Sequence, residues 1–176
     1  MAAAQNAPGG DEVVRLSDLY DDAVVEVYRY LRARCGSDPL AEELTSATFV
    51  RAALEVATGS ATPVSIPWLI AVARNKLIDH WRRESMAERK LVLLDGGRID
   101  TVDPWDAVLD ETRAEQVLQE LVPDHRAALT LRYLDDLSVP ECADELGRSV
   151  HATESLLARA RNAFRTAYEQ TGGHDD

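Results

Sequence analysis

The sequence predicts an all-α protein of two small helical domains joined by an acidic linker. Apolar residues recur at spacings of three and four along most of the 176 residues, and no segment shows the alternation of a half-buried strand. This helical period breaks over 91–105, where the segment LVLLDGGRIDTVDPW is rich in Gly and Asp. We therefore assign 12–90 and 106–170 to the two domains, and we expect 1–11 and 171–176 to be disordered.

Three helices are predicted in the first domain. Helix one spans about 12–35, ends at Gly36, and turns inward the apolar set Val13, Leu16, Leu19, Tyr20, Val24, Val27 and Leu31. Asp38 is expected to cap helix two, which spans about 39–57. Its inward residues are predicted to be Leu44, Ala47, Phe49 and Leu54. Pro67 suits the first turn of helix three, which runs to about residue 88.

The second domain begins in a strongly acidic region. Between residues 95 and 124, nine acidic residues against two arginines leave a net charge of −7. Helix four is predicted over about 106–121, and helix five from Pro123 to Leu134. This acidic segment could screen the two basic helices described in the next paragraphs and so weaken DNA binding by the free protein. If it does, the affinity of the free protein for DNA should rise when four of its acids are neutralised, Asp100, Asp103, Asp106 and Asp110.

Residues 138–165, SVPECADELGRSVHATESLLARARNAFR, have the layout of a helix-turn-helix. Ser138 and Glu141 form a capping box for helix six, Gly147 is expected to end it, and Ser149 to cap helix seven. The inward face of helix seven is predicted to be Val150, Thr153, Leu157, Ala160, Phe164 and Tyr168. Its outward face is predicted to be His151, Glu154, Ser155, Ala158 and Asn162, with Arg148, Arg159 and Arg165 at the margins. In such a motif the second helix enters the DNA major groove.

Helix three carries a second basic patch within RNKLIDHWRRESMAERK. Its cations are Arg74, Lys76, Arg82, Arg83, Arg89 and Lys90. Cationic side chains beside aromatic rings are typical of single-strand binding, because bases stack on the rings while phosphates pair with the cations. Of the two tryptophans in this helix, we expect Trp68 in the core, whereas Trp81 could be either a core residue or a stacking surface.

The composition argues against several other classes. A net charge of −12 is unlike that of a DNA binder that ignores sequence. Cys35 and Cys142 are far apart and in no metal-binding spacing, so neither a disulfide framework nor a metal site is predicted, and a reducing cytoplasm is expected. No signal peptide, membrane span, catalytic constellation or cofactor site is predicted.

Both domains resemble the sigma factors of bacterial RNA polymerase, and above all the extracytoplasmic function (ECF) group, which has only regions two and four. The first resemblance covers about 17–84 and depends on LYDDAVVEVYRYLRARCG, AEELTSATFVRA and especially PWLIAVARNKLIDHWRR. The second covers about 118–165, LQELVPDHRAALTLRYLDDLSVPECADELGRSVHATESLLARAR. The two motifs in this order are specific, whereas a lone helix-turn-helix is not.

The resemblance implies a non-catalytic factor that directs core RNA polymerase to promoters, reading a minus-ten element as single strand and a minus-thirty-five element as duplex. The implied minus-ten contacts are Arg74, Asn75, Lys76, His80, Arg82 and Arg83, with Asn75 as the base-pocket residue. The implied minus-thirty-five contacts are Arg148, Ser149, His151, Glu154, Ser155 and Arg159. The clamp helices of the polymerase would be bound by Glu42, Glu43 and Leu44. Region four would dock on the polymerase flap, and an anti-sigma factor would hold the protein inactive.

This sequence departs from the family pattern at two places. Ser46 and Ala47 stand where Gln and an acid are usual, which would alter the affinity for the clamp, and Glu154 and Leu156 stand where Lys and Arg are common. Two other functions remain open: a freestanding helix-turn-helix regulator, expected to be a dimer on a symmetric operator, and an interaction protein that has kept the fold but lost promoter activity.

Overall fold

The computed structural model describes residues 10–58, 64–89 and 110–172. These residues form helices and contain no strand, which confirms the predicted all-α class. They divide into two compact units, residues 1–77 and 78–176, and the division falls within the third helix. The predicted linker, the first nine residues and the last four lie outside the described residues.

The first unit is built on two helices, α1 (Gly10–Cys35) and α2 (Asp38–Ala57), which pack against each other. Gly36 separates them with a φ of 65°, a left-handed conformation that costs glycine little. The buried apolar side chains at helical spacing include Val27 and Leu31 of α1 and Leu44 of α2, as predicted. Tyr20 and Phe49 meet edge to face with ring centroids 4.9 Å apart.

The start of α2 differs from the prediction. Ser37, and not Asp38, is the N-cap: its backbone is extended and its hydroxyl accepts a hydrogen bond from the Leu40 N–H at 3.5 Å. Asp38 is the first helical residue, and its carboxylate accepts hydrogen bonds from Arg32 and from the Tyr28 hydroxyl, the latter at 3.0 Å. The bond from Arg32, and then that from Tyr28, lowers the pKa of Asp38 below its ordinary value. Asp38 therefore ties α2 to α1.

Two predicted inward residues of the first unit are exposed instead. Leu54 is 55% exposed and Tyr20 is 46% exposed. Ala41, Ala52 and Val56 are buried on the inward face of α2. The buried face of this helix is therefore a different one from the face that the larger apolar residues suggested. Small residues share this inward face with Leu44, whereas Leu54 is left outside.

The third helix, α3 (Ile66–Arg89), begins and ends close to its predicted bounds. The Ser65 hydroxyl accepts a hydrogen bond from the Trp68 N–H at 3.4 Å, and the Ser65 carbonyl accepts one from the Leu69 N–H at 2.8 Å. Leu69, Ala73 and Leu77 are buried at spacings of four.

The second unit contains α4 (Glu111–Glu120), α5 (Pro123–Leu129), a π-helical segment (Thr130–Leu134), α6 (Val139–Leu146) and α7 (Val150–Gly172). Helix α4 begins five residues later than predicted, because Asp110 has an extended backbone and caps the helix by accepting from the Arg113 N–H at 2.8 Å. The predicted fifth helix is real but changes from α to π hydrogen bonding at Thr130. Helix α7 includes Thr171 and Gly172, which were expected in a disordered tail.

The core of the second unit lies between α4, α5 and α7. Its buried members are Ala114, Val117, Leu118, Leu121, Leu129, Ala160 and Phe164. Phe164 is fully buried and stacks on Tyr168 with ring centroids 5.8 Å apart. Arg113 closes this end of the unit, with its guanidinium 3.8 Å from the centroid of the Tyr168 ring.

The helix-turn-helix between α6 and α7 has the predicted start and stop signals. Ser138 and Glu141 form both halves of the capping box, with the Ser138 N–H donating to the Glu141 carboxylate at 2.8 Å. Gly147 ends α6 in the left-handed conformation, with φ 61°, and the Arg148 N–H returns to the Ala143 carbonyl at 2.9 Å. Ser149 then caps α7 by accepting from the Ala152 N–H at 3.2 Å. The turn before α7 is therefore defined by a backbone hydrogen bond at the end of α6 and a side-chain cap at the start of α7.

Candidate nucleic-acid and polymerase interfaces

The first turns of α7 present polar side chains to solvent, as a helix that reads DNA must. The side chain of His151 is 93% exposed and that of Glu154 is 60% exposed, with 3.9 Å between His151 Nδ1 and Glu154 Oε2. Ser149 is exposed at the cap, and Ser155 is half-buried one turn further on. These four predicted contacts lie together at one end of one helix.

The opposite side of α7 is apolar and packs on α4, α5 and α6. The predicted inward residues Thr153, Leu157 and Phe164 are buried. Two assignments are reversed: Val150 is 44% exposed, because it lies on the solvent side of the first turn, and Ala158 is buried.

Leu156 is also buried, with 2% exposure, which changes the meaning of one departure from the family pattern. Its side chain cannot reach a phosphate, so no DNA contact is lost by its being Leu. The departure at Glu154 is different, because that side chain is exposed beside His151. Glu154 therefore remains the one of the two positions that can touch DNA.

Arg148 and Arg159 flank the exposed patch in different ways. Arg148 lies in the turn and its Nη2 is 2.7 Å from the Asp124 carboxylate of α5. Arg159 is exposed and donates from Nε to the Ser155 carbonyl at 3.2 Å. Burial and then the positive charge of Arg159 lower the pKa of His125 below its ordinary value, so this imidazole favours the neutral form.

Along α3, the predicted minus-ten contacts divide by exposure. Asn75 is exposed, whereas Arg74 and Lys76 on either side of it are half-buried. His80, one turn later, is half-buried and lies 3.4 Å from the Glu84 carboxylate. Asn75 is thus the most accessible polar side chain of this turn, with an amide that can both donate and accept.

The end of α3 carries two exposed arginines that are already hydrogen-bonded to protein. Arg82 Nη1 is 2.9 Å from the Asp79 carboxylate, and Arg83 donates from Nε to the Asp79 carbonyl at 3.2 Å. Arg82 Nη2 also donates to the Glu145 carbonyl at 3.2 Å. A phosphate would have to compete with these acceptors.

Trp81 is a core residue and not a stacking surface. It is 1% exposed, and its indole Nε1 is buried without a hydrogen-bond partner among the described residues. A base can stack only on an exposed ring, so stacking at Trp81 is excluded in this conformation. Trp68, which was expected in the core, is half-buried.

The predicted polymerase contacts on α2 are only partly accessible. Glu42 and Glu43 are exposed, but Leu44 is 3% exposed and packs inside the first unit, so it cannot contact a partner directly. Glu42 instead borders a groove of about 750 Å³ between α1 and α2. The groove is lined by Tyr20, Val24, Val25, Tyr28, Arg29, Glu42, Thr45, Ser46, Phe49, Val50 and Ala53.

Sequence reasoning missed this groove, because it treated the large apolar residues of both helices as core. Val25 and Val50 are exposed and line the groove together with Tyr20. A large exposed apolar patch often marks a site that binds another molecule. The only signal of the groove in the sequence was that α1 and α2 contain more apolar residues than one inward face of each helix can hold.

The described residues show no metal cluster, disulfide or membrane-spanning helix. Within residues 10–58, 64–89 and 110–172, no group of three or more His, Cys, Asp or Glu side chains could hold a metal ion. Both Cys35 and Cys142 are free and buried, and burial raises the pKa of each thiol. None of the helices described is long and apolar enough to cross a membrane.

Comparison with known families accounts for both units. Residues 19–86 match the family Sigma-70 region 2, and residues 112–164 match Sigma-70, region 4. The two regions occur in the predicted order, and a freestanding helix-turn-helix regulator would leave the first match unexplained.

Individual relatives agree. The chain is 33% identical over 168 residues to the ECF RNA polymerase sigma factor BldN of Streptomyces coelicolor, covering 91% of this chain and 62% of that protein. It is 30% identical over 171 residues to the ECF RNA polymerase sigma factor SigL of Mycobacterium tuberculosis, covering 92% of this chain and 93% of SigL. Among solved structures, the sigma factor RpoE from Bartonella quintana, crystallised with the anti-sigma factor NepR, shares the fold with a TM-score of 0.53 at 18% identity over 89% of this chain and 97% of RpoE.

Two region matches and a 30% identical relative that is covered almost completely leave no doubt about the family. The chain belongs to the ECF sigma factors, which are transcription initiation factors and not enzymes, and which direct RNA polymerase to promoters.

Proposed function

We propose that this sigma factor reads the two promoter elements with the exposed residues of α3 and of α7. The observation that carries the proposal is that α3 presents a polar patch around Asn75 and α7 presents another around His151 and Glu154. Both patches lie on helices that are held by buried apolar faces, so each can meet DNA without losing its own core.

On the minus-ten side, Asn75 contacts an unstacked base, and Arg74, Lys76, His80, Arg82 and Arg83 surround the single strand. The exposure of Asn75 supports this role, because an amide can pair with the edge of a base that has left the duplex. The ring of Trp81 takes no part, since it is buried. Base capture therefore depends on hydrogen bonds and phosphate contacts.

On the minus-thirty-five side, the start of α7 enters the major groove of duplex DNA. Glu154 accepts from cytosine N4, and His151, Ser149 and Ser155 make neighbouring contacts, because these side chains share the first turns. Arg148 and Arg159 bind phosphates on either side.

Core polymerase docks on the exposed face of α2. Glu42 and Glu43 supply charge, and the groove that Glu42 and Ser46 border supplies apolar surface for the clamp helices. Leu44 acts from within, by holding α2 against α1. The second unit docks on the polymerase flap, the protein works in the cytoplasm, and an anti-sigma factor restrains it.

Run-off transcription tests the proposal most directly. Purified core polymerase with and without this protein is given a sheared genomic library, and new start sites that share two spaced upstream elements are expected. Asn75→Ala should remove the starts, whereas Thr166→Ala, exposed on α7 beyond the residues assigned to DNA, should leave them. Co-purification with polymerase but no new starts would identify an interaction protein instead.

A further inference from the structure

Helix α7 begins with an apolar side chain that is left partly in solvent. Val150 is its first residue and is 44% exposed, whereas Thr153 and Leu157, one and two turns later, are buried. The start of the helix is secured by Ser149 instead, whose hydroxyl accepts from the Ala152 N–H at 3.2 Å and whose carbonyl accepts from the Thr153 N–H at 2.9 Å. Valine is also a poorer helix former than alanine or leucine. Neither the cap nor the core of the second unit therefore requires a valine at this position.

Val150 borders the polar patch that we assign to the bases. It directly precedes His151, and it lies four residues before Glu154, so its side chain and that of Glu154 share one side of the helix. Residues at this spacing have their Cβ atoms about 5–6 Å apart. In a helix-turn-helix the N-terminal residues of the second helix are those that reach base edges in the major groove. The half-exposed first residue of α7 is therefore placed to touch a base close to the one that Glu154 reads.

The chemistry of this side chain selects one kind of base. Valine has neither a donor nor an acceptor, and the apolar group that bases present in the major groove is the C5-methyl group of thymine. Contact between the two removes apolar surface from water on both sides, which for a group of this size amounts to about fourfold in affinity. Glu154 has the opposite preference, since its carboxylate accepts from cytosine N4 and is repelled by the O4 acceptor of thymine. The two neighbouring side chains therefore distinguish the two pyrimidines.

We propose that Val150 is a specificity-determining residue of minus-thirty-five recognition, and that it contacts the C5-methyl group of a thymine within about two base pairs of the cytosine that Glu154 reads. The separation follows from the distance of about 5–6 Å between the two Cβ atoms and the rise of about 3.4 Å per base pair. The inference rests on the function proposed above, because it needs the start of α7 to enter the major groove. It adds to that function the base and the chemical group that one further residue selects.

Uracil in place of thymine tests the contact with the unmodified protein. The exchange removes the C5-methyl group and leaves the hydrogen-bonding groups of the base unchanged. Each thymine on either strand of the minus-thirty-five element found by run-off transcription is replaced in turn, and affinity for the duplex is measured by fluorescence anisotropy. We expect one replacement to weaken binding about threefold to fivefold. The same duplexes are then measured with Val150→Ala, which should bind the thymine and uracil forms of that position equally.

Val122→Ala is the matched control. Val122 is another exposed valine of the second unit, at the N-cap of α5, with 51% of its surface accessible, and it is not among the residues assigned to DNA. Its replacement removes the same atoms and should leave the sensitivity to uracil unchanged. Val150→Ile retains an apolar side chain and should retain the sensitivity as well. Thermal unfolding checks that all three variants are folded at the temperature of the binding measurements.

The outcomes separate this contact from the promoter function. If the parent protein binds the duplex but no uracil replacement weakens binding, the contact is overturned while the promoter function stands. Equal sensitivity in the parent and in Val150→Ala would assign the methyl group to another side chain, and loss of sensitivity in Val122→Ala would mean that the effect is not local; either result rejects the role of Val150. An element without thymine near the base that responds to Glu154→Ala would also reject it. If run-off transcription yields no start sites, the promoter function has failed, and the inference fails with it before any uracil is introduced.

Discussion

The end of α3 and the start of α7 both carry polar residues that we assign to DNA, but they present them differently. At the end of α3, Arg82 and Arg83 donate to protein oxygens, and His80 lies beside Glu84. At the start of α7, His151 and Glu154 project into solvent with most of their side-chain surface accessible. The charged side chains at the end of α3 are already paired within the protein, whereas the polar side chains at the start of α7 that we assign to bases are already exposed to solvent.

This difference suggests different kinds of recognition. A duplex is read by a rigid helix whose side chains are positioned beforehand, and the capped turn before α7 supplies that rigidity. A single strand must first be opened and captured, so under the proposed function the side chains of α3 would exchange protein acceptors for phosphates as the strand arrives. Binding at α3 should therefore depend more on conformational change than binding at α7.

The largest effect is expected where α7 is anchored. Phe164→Ala removes a fully buried ring from the core that holds α7 on α4 and α5, and should lower the free energy of unfolding by about 3–5 kcal/mol. Minus-thirty-five binding should be lost with it. Chemical denaturation and anisotropy on the same duplex measure both.

The control is two residues away on the same helix. Thr166→Ala is exposed and should change stability by less than about 0.5 kcal/mol, with normal DNA binding. If Phe164→Ala kept full affinity for the duplex, the reading face would not depend on its buried anchor, and the rigid account of α7 would be wrong.

The next effect concerns base choice within α7. Glu154→Ala should relax preference at one minus-thirty-five base, by about 1–3 kcal/mol of discrimination, while Arg159→Ala should weaken binding to all sequences alike. The structural reason is that Glu154 projects from the reading face, whereas Arg159 lies one turn beyond it. Competition binding on duplexes with every single base change separates the two, and equal losses on every sequence would contradict these roles.

The sequence was most informative where a local rule acts alone. The capping box of Ser138 and Glu141 and the left-handed stop at Gly147 are determined by residues a few positions apart, and both are present as predicted. The helix-turn-helix and its buried Thr153 could be predicted for the same reason, because the spacing of apolar residues along one helix shows which face is buried. The candidate duplex-reading face followed directly.

The rest depended on contacts between distant segments. Ser37 caps α2 because Asp38 is taken by Arg32 and Tyr28, and no local pattern shows that competition. Trp81 looked suited to stacking, but tertiary packing buries it. The bond between Ser85 and Asp124 joins residues 39 apart in sequence, beyond the reach of any periodicity.

The two left-handed glycines permit a direct comparison between the units. Gly36 ends α1 with φ 65° and Gly147 ends α6 with φ 61°, and an added Cβ costs about 1–2 kcal/mol in this conformation. Gly147→Ala should lower stability by that amount and weaken minus-thirty-five binding, because it disturbs the turn before α7. Gly36→Ala should cost similar stability without a direct effect on that duplex.

Gly147→Asn is the matched control, since Asn tolerates the left-handed region better than Ala does. It should recover part of the lost stability. The nearest atom to the added carbon, Arg82 Nη2 at 3.9 Å, is at an ordinary contact distance. The backbone conformation and not a clash therefore sets the loss of stability. Thermal unfolding of all three variants tests this, and identical melting of Ala and Asn variants would argue against it.

The smallest effect is expected from pH, and it concerns His125 of α5, the helix that packs against α7. Burial, and then Arg159, lower the pKa of His125 in the folded protein below the ordinary value of 6.5. The unfolded chain therefore takes up this proton at a higher pH than the folded protein does, so stability is full above pH 6.5 and falls as the pH drops toward the lowered value. His125→Gln should flatten this part of the pH profile of unfolding, which chemical denaturation at a series of pH values measures. A profile that stays as steep in His125→Gln as in the parent protein would assign the slope to other groups, and the partly buried imidazole would then contribute nothing to how α7 is held.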